Sequence, residues 1–362
     1  MLQIGFIKEN KEKVIEGLKK RNLRDFAYLD EVIQLDEKRK ATQTELNTFQ
    51  AESNQISKEI GMLYKQGKRD EAEVLKAKVA NGKESVKALE QEMNALSEKI
   101  ENILLQIPNV PHTSVPPGTT EEDNEVFRAW PHALPELPET AKPHWELAKD
   151  YNLFSLELGT KIAGAGFPLY RGKGAKLQRA LISFFLDENI EAGYEEILPP
   201  HLVNEATARG TGQLPDKEGQ MYYVTKDDLY LLPTAEVPVT NIYRDEILKP
   251  EDLPIMMTAY TPCFRREAGS YGAHVRGLNR VHQFDKVEIV RMELPENSYA
   301  ALDGMLEHVA RILDKLELPY RILRLCGGDV SFASALTYDF EIWSAAQKRW
   351  LEVSSVSNFE TF

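Results

Sequence analysis

The stretch that decides the fold runs from Phe264 to Val290 and reads FRREAGSYGAHVRGLNRVHQFDKVEIV. Glycines interrupt its middle at Gly269, Gly272 and Gly277, and its last third is rich in regularly spaced apolar residues. The Phe-Arg-Arg-Glu segment before the glycines and the apolar residues Val281, Phe284, Val287 and Ile289 after them indicate two strands joined by a loop. The stretch therefore predicts an antiparallel pair of strands with a loop between them.

Four arginines flank this loop: Arg265, Arg266, Arg276 and Arg280. A guanidinium group is planar and presents several donors in a fork, so it suits multidentate recognition of phosphate. A surface hairpin with solvated charges explains the same residues. Residue types alone leave both interpretations open.

The order of residues in the stretch decides between phosphate recognition and a solvated surface hairpin. The stretch resembles motif 2 of the class II aminoacyl-tRNA synthetases, because it has FRRE, then a loop, then RVHQFDKVE. Its full sequence is similar to that of the seryl-tRNA synthetase family. The resemblance extends over essentially all 362 residues. It implies an α+β fold, with an N-terminal antiparallel coiled-coil hairpin of helices. The implied catalytic domain has a mainly antiparallel β-sheet flanked by helices.

Composition excludes several other classes of protein. The chain is 42% hydrophobic and 28% charged, which is compatible with a soluble globular structure. Its apolar run from Ala180 to Leu186 is too short to span a bilayer, and no secretory signal follows Met1. Cys263 and Cys326 are far apart and form no CxxC, so we expect neither a disulfide framework nor zinc. A reducing cytoplasm is the location that this cysteine usage predicts.

Charge is distributed unevenly along the chain. Of the 44 basic residues, 19 lie in residues 1–110, together with 19 of the 57 acidic residues. The net charge of −13 is therefore carried by the remainder of the chain. We expect the N-terminal part to be the better surface for a polyanion.

Apolar periodicity predicts two long helices in this N-terminal part, after a shorter helix over residues 4–22. Apolar or small residues alternate at spacings of three and four, which is the a/d seam of a coiled coil. The first series is Val32, Leu35, Arg39, Thr42, Leu46, Phe49, Ser53, Ile56, Ile60 and Leu63. The second is Ala72, Leu75, Val79, Gly82, Val86, Leu89, Met93, Leu96, Ile100, Ile103 and Ile107. A break at residues 66–68 makes the two arms an antiparallel hairpin.

The function of this arm is open from periodicity alone, because most coiled coils are structural or form dimers. Its outer half is basic, through Lys58, Lys65, Lys68, Arg69, Lys76, Lys78, Lys83 and Lys87. In the family that the chain resembles, such an arm grips tRNA(Ser) by shape and backbone. This implies phosphate and 2′-hydroxyl contacts that tolerate sequence differences.

Domain boundaries follow from these patterns. Residues 108–143 hold eight of the nineteen prolines, which end the second arm and stiffen the chain that follows. We interpret residues 108–143 as a linker. It would separate a tRNA-binding domain over 1–107, with its arm at about 28–107, from a catalytic domain over 144–362.

A predicted amphipathic helix over residues 175–192 opens the catalytic domain, with Leu177, Leu181, Phe184 and Phe185 on its apolar face. A strand that ends at Pro199 follows the helix. This order resembles class II motif 1, which implies a homodimer through this region. Packing into the core explains the apolar face equally well.

The segment LYLLPTAEVPVT, residues 229–240, offers amino-acid-binding groups. Thr234 is a candidate helix N-cap with Glu236 in the first turn. The resemblance implies that the Thr-x-Glu loop binds L-serine. The implied serine-binding residues are Thr234, Ala235, Glu236, Arg265 and Glu288. Residue types leave open which carboxylate meets the ammonium and which meets the hydroxyl.

No P-loop and no dinucleotide-binding glycine motif occurs, so nucleotide binding depends on the resemblance. It implies that Arg265 contacts the α-phosphate and Arg280 the outer phosphates, both in catalytic roles, with Glu267 and Val281 at the adenine. The ATP-binding residues that it implies are Arg265, Arg266, Glu267, Val281, Glu352, Val353, Ser354 and Ser355. Glu352 and Ser355 are also the implied Mg²⁺ ligands. Their odd spacing puts them on opposite faces of an ideal strand, so we expect a bulge there.

The implied reaction joins L-serine to tRNA(Ser) with ATP through a seryl-adenylate, and the loop from Ala268 to Asn279 would meet the acceptor end of the tRNA. A catalytically inactive or fragmentary relative that binds tRNA is the alternative, and a purely structural coiled-coil protein is a third. The glycine-rich third motif of the class has no match before Phe362. From the resemblance we expect a C-terminally incomplete chain with poor solubility and little pyrophosphate exchange.

Overall fold

The computed structural model describes residues 1–267 and 276–362, with residues 80 and 81 described by their backbone alone. The chain divides into two compact units, residues 1–113 with 361–362 and residues 114–360. Of the helices in the described ranges, none is both long and apolar enough to cross a membrane.

Unit 1 is helical throughout. Its helices are α1 (Ile4–Glu9), α2 (Lys11–Lys20), α3 (Ala27–Lys65) and α4 (Arg69–Leu104). The helix predicted over residues 4–22 is therefore two helices, divided at Asn10. Ile7, Val14 and Leu18 nonetheless lie together in the core at the base of the arm.

The coiled-coil prediction is confirmed. α3 and α4 are joined at Gln66–Lys68, where Gly67 takes a positive φ of 78° that a tight reversal requires. All the seam positions predicted from periodicity are buried or partly buried. The polar seam residue Arg39 has a partner one turn earlier, since its Nη2 lies 2.7 Å from the buried carboxylate of Asp36.

Unit 2 is α+β. Its helices are α5 (His144–Tyr151), α6 (Leu156–Ala163), α7 (Lys173–Glu191), α8 (Glu205–Gly210), α9 (Glu236–Thr240) and α10 (Ser298–Lys315). Its strands are β1 (Glu125–Arg128), β2 (Phe154–Ser155), β3 (Leu169–Tyr170), β4 (Glu195–Glu196), β5 (Leu202–Val203), β6 (Tyr222–Val224), β7 (Leu229–Leu231), β8 (Ile255–Phe264), β9 (Gln283–Met292), β10 (Tyr320–Arg324), β11 (Leu336–Ser344) and β12 (Arg349–Asn358).

Two sheets carry the candidate site. One has the order β1-β10-β11-β12 and is antiparallel throughout, and the other has the order β4-β8-β9. The main core lies between α10 and the first sheet, where Leu306, Ile322, Phe340 and Val356 are buried together. Strand β1 lies within residues 108–143, so the segment that we interpreted as a linker also supplies an edge strand to unit 2.

Helix α7 occurs close to its predicted position, and one residue of its predicted apolar face is exposed in the single chain. Phe184 and Phe185 are partly buried, whereas the side chain of Leu177 is 56% exposed. Leu177 lies in the N-terminal half of α7, where Lys173 and Lys176 are also exposed. Strand β4, which follows α7, pairs in parallel with β8 through Glu195 and Met257.

Candidate active site

The antiparallel pair predicted from the opening stretch is β8 and β9. Their register runs from Ile255 opposite Met292 to Phe264 opposite Gln283. The FRRE segment begins at Phe264, the last residue of β8, and its other three residues lie just beyond the strand end, where the backbone N–H of Arg265 donates to the carbonyl of His282 at 3.0 Å. This hydrogen bond extends the pairing past the strand end and holds the first motif arginine beside β9.

The two neighbouring arginines of FRRE point at different aromatic rings. The guanidinium carbon of Arg265 lies 5.2 Å from the ring centroid of Phe284, and that of Arg266 lies 5.6 Å from the ring of Tyr222. Both distances suit cation–π attraction. Tyr222 in turn forms a 2.6 Å hydrogen bond with Nδ1 of His282, the residue just before β9, and this contact positions its ring.

Two residues that the resemblance assigns to ATP contact each other. Nη1 of Arg280 lies 3.1 Å from Oε2 of Glu267, and the Arg280 side chain is 56% exposed. Glu267 has a φ of 47°, a left-handed conformation that is uncommon for a non-glycine residue. Next to Arg280, Val281 is buried at 7% exposure.

The loop predicted to meet the acceptor end is described only in part, because residues 268–275 lie outside the described residues. Its C-terminal end is held by hydrogen bonds to two other residues of unit 2. The backbone N–H of Leu278 donates to Nε2 of His144 at 2.8 Å, and Nδ2 of Asn279 donates to Oε1 of Gln347 at 3.1 Å. The part of the loop that is described is therefore anchored at two points.

The residues assigned to serine converge beside the middle of β9. The hydroxyl of Thr234 donates to Oε2 of Glu288 at 2.9 Å. The N-cap prediction for Thr234 is wrong, because α9 starts at Glu236 and its N-cap residue is Ala235. The side chain of Ala235 makes no capping hydrogen bond. The hydroxyl of Thr234 still accepts a 3.2 Å hydrogen bond from the backbone N–H of Glu236.

A lysine that sequence reasoning missed completes this cluster. Nζ of Lys286 lies 2.6 Å from Oε2 of Glu288 and donates to the hydroxyl of Thr234 at 2.9 Å. Lys286 and Glu288 are two residues apart on β9, so they share a face of the strand. That spacing was a signal in the sequence, but the contact with Thr234 joins residues 52 positions apart.

Burial and charge tune the two carboxyl groups differently. Burial, with a smaller effect from the charge of Glu288, raises the pKa of Glu236 to about 7, although Lys286 and Arg265 oppose the shift. Burial alone would lower the pKa of Lys286, but the carboxylates of Glu288 and Glu236 raise it above its ordinary value. Lys286 is therefore a cation at neutral pH, and the carboxyl of Glu236 titrates near neutral pH.

The second half of the site lies on β11 and β12, and the predicted bulge is confirmed. Ser354 pairs with Phe340 and Glu352 with Glu341, so Val353 has no partner on β11. The extra residue brings Oγ of Ser355 to 3.5 Å from Oε1 of Glu352. The two implied metal ligands therefore lie on one face.

Asp339 is the second residue that sequence reasoning missed. Its Oδ1 accepts a 2.5 Å hydrogen bond from Oγ of Ser355. Burial, and then the charge of Glu352, raise the pKa of Asp339 to about 7. Within the described residues, no set of three or more His, Cys, Asp or Glu side chains converges as a metal site. Glu352 and Ser355 place two side-chain oxygens close together at the bulge.

Comparisons with known proteins agree with this geometry. Residues 1–111 match the family model for the seryl-tRNA synthetase N-terminal domain, and residues 222–362 match the class II tRNA synthetase core domain for G, H, P, S and T. A serine–tRNA ligase of Salinibacter ruber is 50% identical over 362 residues, which are all of this chain and 84% of that protein.

Solved structures are also similar. The structure of seryl-tRNA synthetase from Pyrococcus horikoshii complexed with ATP aligns with a TM-score of 0.85 and 33% identity, over 99% of this chain and 85% of that one. The cytoplasmic serine–tRNA ligase from Naegleria fowleri in complex with AMP aligns with a TM-score of 0.82 and 28% identity, over 99% of this chain and 83% of that one. The chain therefore belongs to the seryl-tRNA synthetase family of the class II aminoacyl-tRNA synthetases.

Proposed function

We propose that this chain joins L-serine to tRNA(Ser) in two steps, with ATP as the energy source and a seryl-adenylate as the intermediate. The observation that carries the proposal is the convergence of Thr234, Glu236 and Glu288 beside Arg265 on one face of β9. This face offers carboxylates to a small zwitterion at a place where a guanidinium can meet a phosphate. Membership of the family supports the same reaction.

In the first step, a carboxylate oxygen of serine attacks the α-phosphorus of ATP. A new P–O bond forms, the bond from the α-phosphorus to the bridging oxygen breaks, and pyrophosphate leaves with that oxygen. No protein nucleophile is needed, so the protein acts by positioning the reactants and neutralising charge. Arg265 is the residue that we assign to the α-phosphate, since its fork matches two phosphate oxygens.

In the second step, a ribose hydroxyl at the 3′ end of the tRNA attacks the carbonyl carbon of the adenylate. The ester bond forms, AMP leaves, and the proton of the hydroxyl is released. We propose that the loop from Ala268 to Asn279 meets this end of the tRNA. The anchoring of Leu278 and Asn279 supports a fixed base for such a loop.

We assign the remaining ATP contacts to both halves of the site. Val281 would line the adenine, and Arg266, Val353 and Ser354 would lie around the nucleotide. Arg280 and Glu267 form an ion pair with each other. ATP binding would therefore exchange this pair for contacts of Arg280 with the outer phosphates and of Glu267 with the adenine.

The residues around the bulge of β12 fit a magnesium ion. Mg²⁺ prefers oxygen ligands and is usually held by one or two protein groups together with substrate phosphates. Glu352 and Ser355 offer two oxygens on one face, and Asp339 adds a partly buried carboxyl whose pKa is raised first by burial and then by the charge of Glu352. When bound, the ion supplies positive charge at the phosphates, and the protein residues hold it and orient it.

We propose that the arm binds tRNA while unit 2 carries out the chemistry. All eight basic residues of the outer arm are exposed, from Lys58 on α3 to Lys87 on α4. Phosphate contacts by such residues depend strongly on salt. A homodimer through the motif 1 region is a further proposal, and it is supported by the exposure of Leu177 at 56% and of Leu198 at 82%. A cytoplasmic location stays a prediction.

The experiment that tests the function is ATP–pyrophosphate exchange with the purified chain. Exchange that requires serine, and that alanine and threonine do not replace, would support the proposal. Retained tRNA binding without serine-dependent exchange would favour the alternative, a catalytically inactive member of the family that binds tRNA.

A further inference from the structure

The hydroxyl of Thr234 has three polar neighbours in the described residues. It accepts hydrogen bonds from the backbone N–H of Glu236 at 3.2 Å and from Nζ of Lys286 at 2.9 Å. It donates to Oε2 of Glu288 at 2.9 Å. Thr234 itself is only 3% exposed, so its hydroxyl is shielded from bulk water.

Counting donors and acceptors fixes the direction of each of these bonds. A hydroxyl has one proton to donate and two lone pairs to accept with. A backbone N–H and a lysine ammonium can only donate, so they occupy both lone pairs of Thr234. The single proton must then point to Glu288. All three hydrogen-bonding positions of the Thr234 hydroxyl are therefore engaged within the protein.

Lys286 contacts both partners of the hydrogen bond between Thr234 and Glu288. Its ammonium lies 2.6 Å from the same oxygen, Oε2 of Glu288, that receives the proton of Thr234. Both contacts fall on Oε2, so they set the rotation of the carboxylate and direct Oε1 away from Lys286. The main chain of Glu288 is also held, because its carbonyl accepts a 2.8 Å hydrogen bond from the hydroxyl of Thr258.

The same lysine makes the two carboxyl groups unequal. Glu288 has a cation in direct contact, whereas among the described residues no cation lies within ion-pair distance of Glu236. A substrate ammonium gains more from the carboxylate that lacks a partner. This leaves the neutralised but oriented Glu288 as the acceptor for a neutral donor such as a hydroxyl.

We infer that Lys286 is a positioning residue for amino-acid selectivity: it locks Thr234 and Glu288 so that Oε1 of Glu288 accepts the serine hydroxyl, while Glu236 meets the ammonium. The inference rests on the proposed function, since it assumes that this face binds serine. In this arrangement the hydroxyl of Thr234 orients Glu288.

Selectivity between serine and alanine measures this role. The probes are the non-reactive adenylate analogues seryl-sulfamoyl-adenosine and alanyl-sulfamoyl-adenosine, and the readout is the ratio of their dissociation constants by calorimetry. In Lys286→Met, which keeps the length of the side chain and removes its charge and donors, we expect the ratio to fall by about 10- to 100-fold. The matched control is Lys315→Met, because Lys315 also forms a 2.5 Å ion pair, with Glu188, but lies on α10. Its ratio should equal that of the parent.

A general loss of structure would weaken both analogues alike and leave the ratio unchanged. That result with a folded Lys286→Met variant would overturn the inference. If Lys286→Met does not fold by circular dichroism, Thr234→Val tests the same lock, because it removes the proton that orients Glu288. It must also lower the ratio. A parent chain that binds neither analogue would refute the proposed function and this inference with it, whereas a serine-selective parent with unchanged variants refutes the inference alone.

Discussion

Ser355 donates a hydrogen bond to Asp339 across paired strands, with 2.5 Å between Oγ and Oδ1. The relationship depends on Val353, the extra residue of β12 that has no partner on β11. Without the bulge, Glu352 and Ser355 would lie on opposite faces of the strand. The bulge therefore creates a face on which a carboxylate, a hydroxyl and a second, partly buried carboxyl lie together.

The first prediction concerns the metal. Ser355→Ala should raise the Mg²⁺ concentration needed for half-maximal pyrophosphate exchange by about tenfold or more, because one oxygen ligand is lost. A magnesium titration of the exchange rate measures this shift.

A serine two positions further along the same strand provides the control. Ser357 contacts the hydroxyl of Thr337 at 2.9 Å and is not assigned to the metal. Ser357→Ala should leave the magnesium requirement unchanged. Equal shifts in the two variants would remove Ser355 from the metal site.

The arm is the part of the fold that could be predicted most completely from the sequence. Its seam is a local pattern with a period of 3.5 residues, so each position can be assigned without knowledge of distant contacts. The residues from Val32 to Leu63 follow that assignment throughout. The bulge at Val353 was also predictable, because the spacing of Glu352 and Ser355 conflicts with a regular strand.

The contacts within the site could be predicted much less well. Thr234 and Lys286 meet because of the pairing of β9 with its neighbours and the path of the chain before α9, and neither leaves a signal in local spacing. Asp339 lies between the apolar residues Tyr338 and Phe340 in the sequence, which is an ordinary strand pattern. Its role depends on the partner strand, whose register is shifted by the bulge. Long-range register thus limits what residue patterns can reveal.

The second prediction concerns Arg265. Arg265→Lys should fail almost as badly as Arg265→Ala in pyrophosphate exchange, with losses of roughly 10²–10³ in rate, because a point charge cannot replace a bidentate fork. Arg266→Ala tests whether any basic residue of the hairpin matters equally, since Arg266 lies over the ring of Tyr222 and not over that of Phe284. A Lys variant within a few-fold of the parent would contradict the assignment to the α-phosphate.

The third prediction uses the titration of Glu236. Its pKa is about 7 in the folded protein against 4.5 in the unfolded chain, so the folded state binds the proton more tightly. The stability that this difference contributes is complete below pH 4.5 and is lost as the pH rises through about 7. Glu236→Gln lacks this loss, so its Tm relative to the parent should rise between pH 5 and pH 8 by about 3 °C or more.

Thermal unfolding of both proteins across this pH range measures the difference. Glu136→Gln is the control, because Glu136 is an exposed loop residue, and its Tm should follow the parent at every pH. A Glu236→Gln curve parallel to the parent would mean that the folded protein does not raise the pKa of Glu236.

The fourth prediction separates the arm from the chemistry. Lys38 of α3 lies opposite Glu92 of α4, with 2.7 Å between Nζ and Oε1, and this pair marks the end of the arm nearest the core at its base. Replacing residues 43–88 with a short glycine-serine turn removes the outer arm and keeps that core. Serine-dependent pyrophosphate exchange should be largely unchanged, whereas charging of tRNA(Ser) should fall by at least about 100-fold because phosphate contacts are lost.

Single substitutions on the arm make the same argument without a deletion. If Lys83 and Lys87 each neutralise one phosphate, the variants Lys83→Ala and Lys87→Ala should each reduce the slope of log K against log salt for tRNA binding by about 0.7 to 0.9. Lys13→Ala is the control, since Lys13 is an exposed residue of α2 outside the arm. Its slope should equal that of the parent. An unchanged slope for Lys83→Ala and Lys87→Ala, together with normal charging by the shortened chain, would show that tRNA is bound elsewhere and that the arm has a structural role.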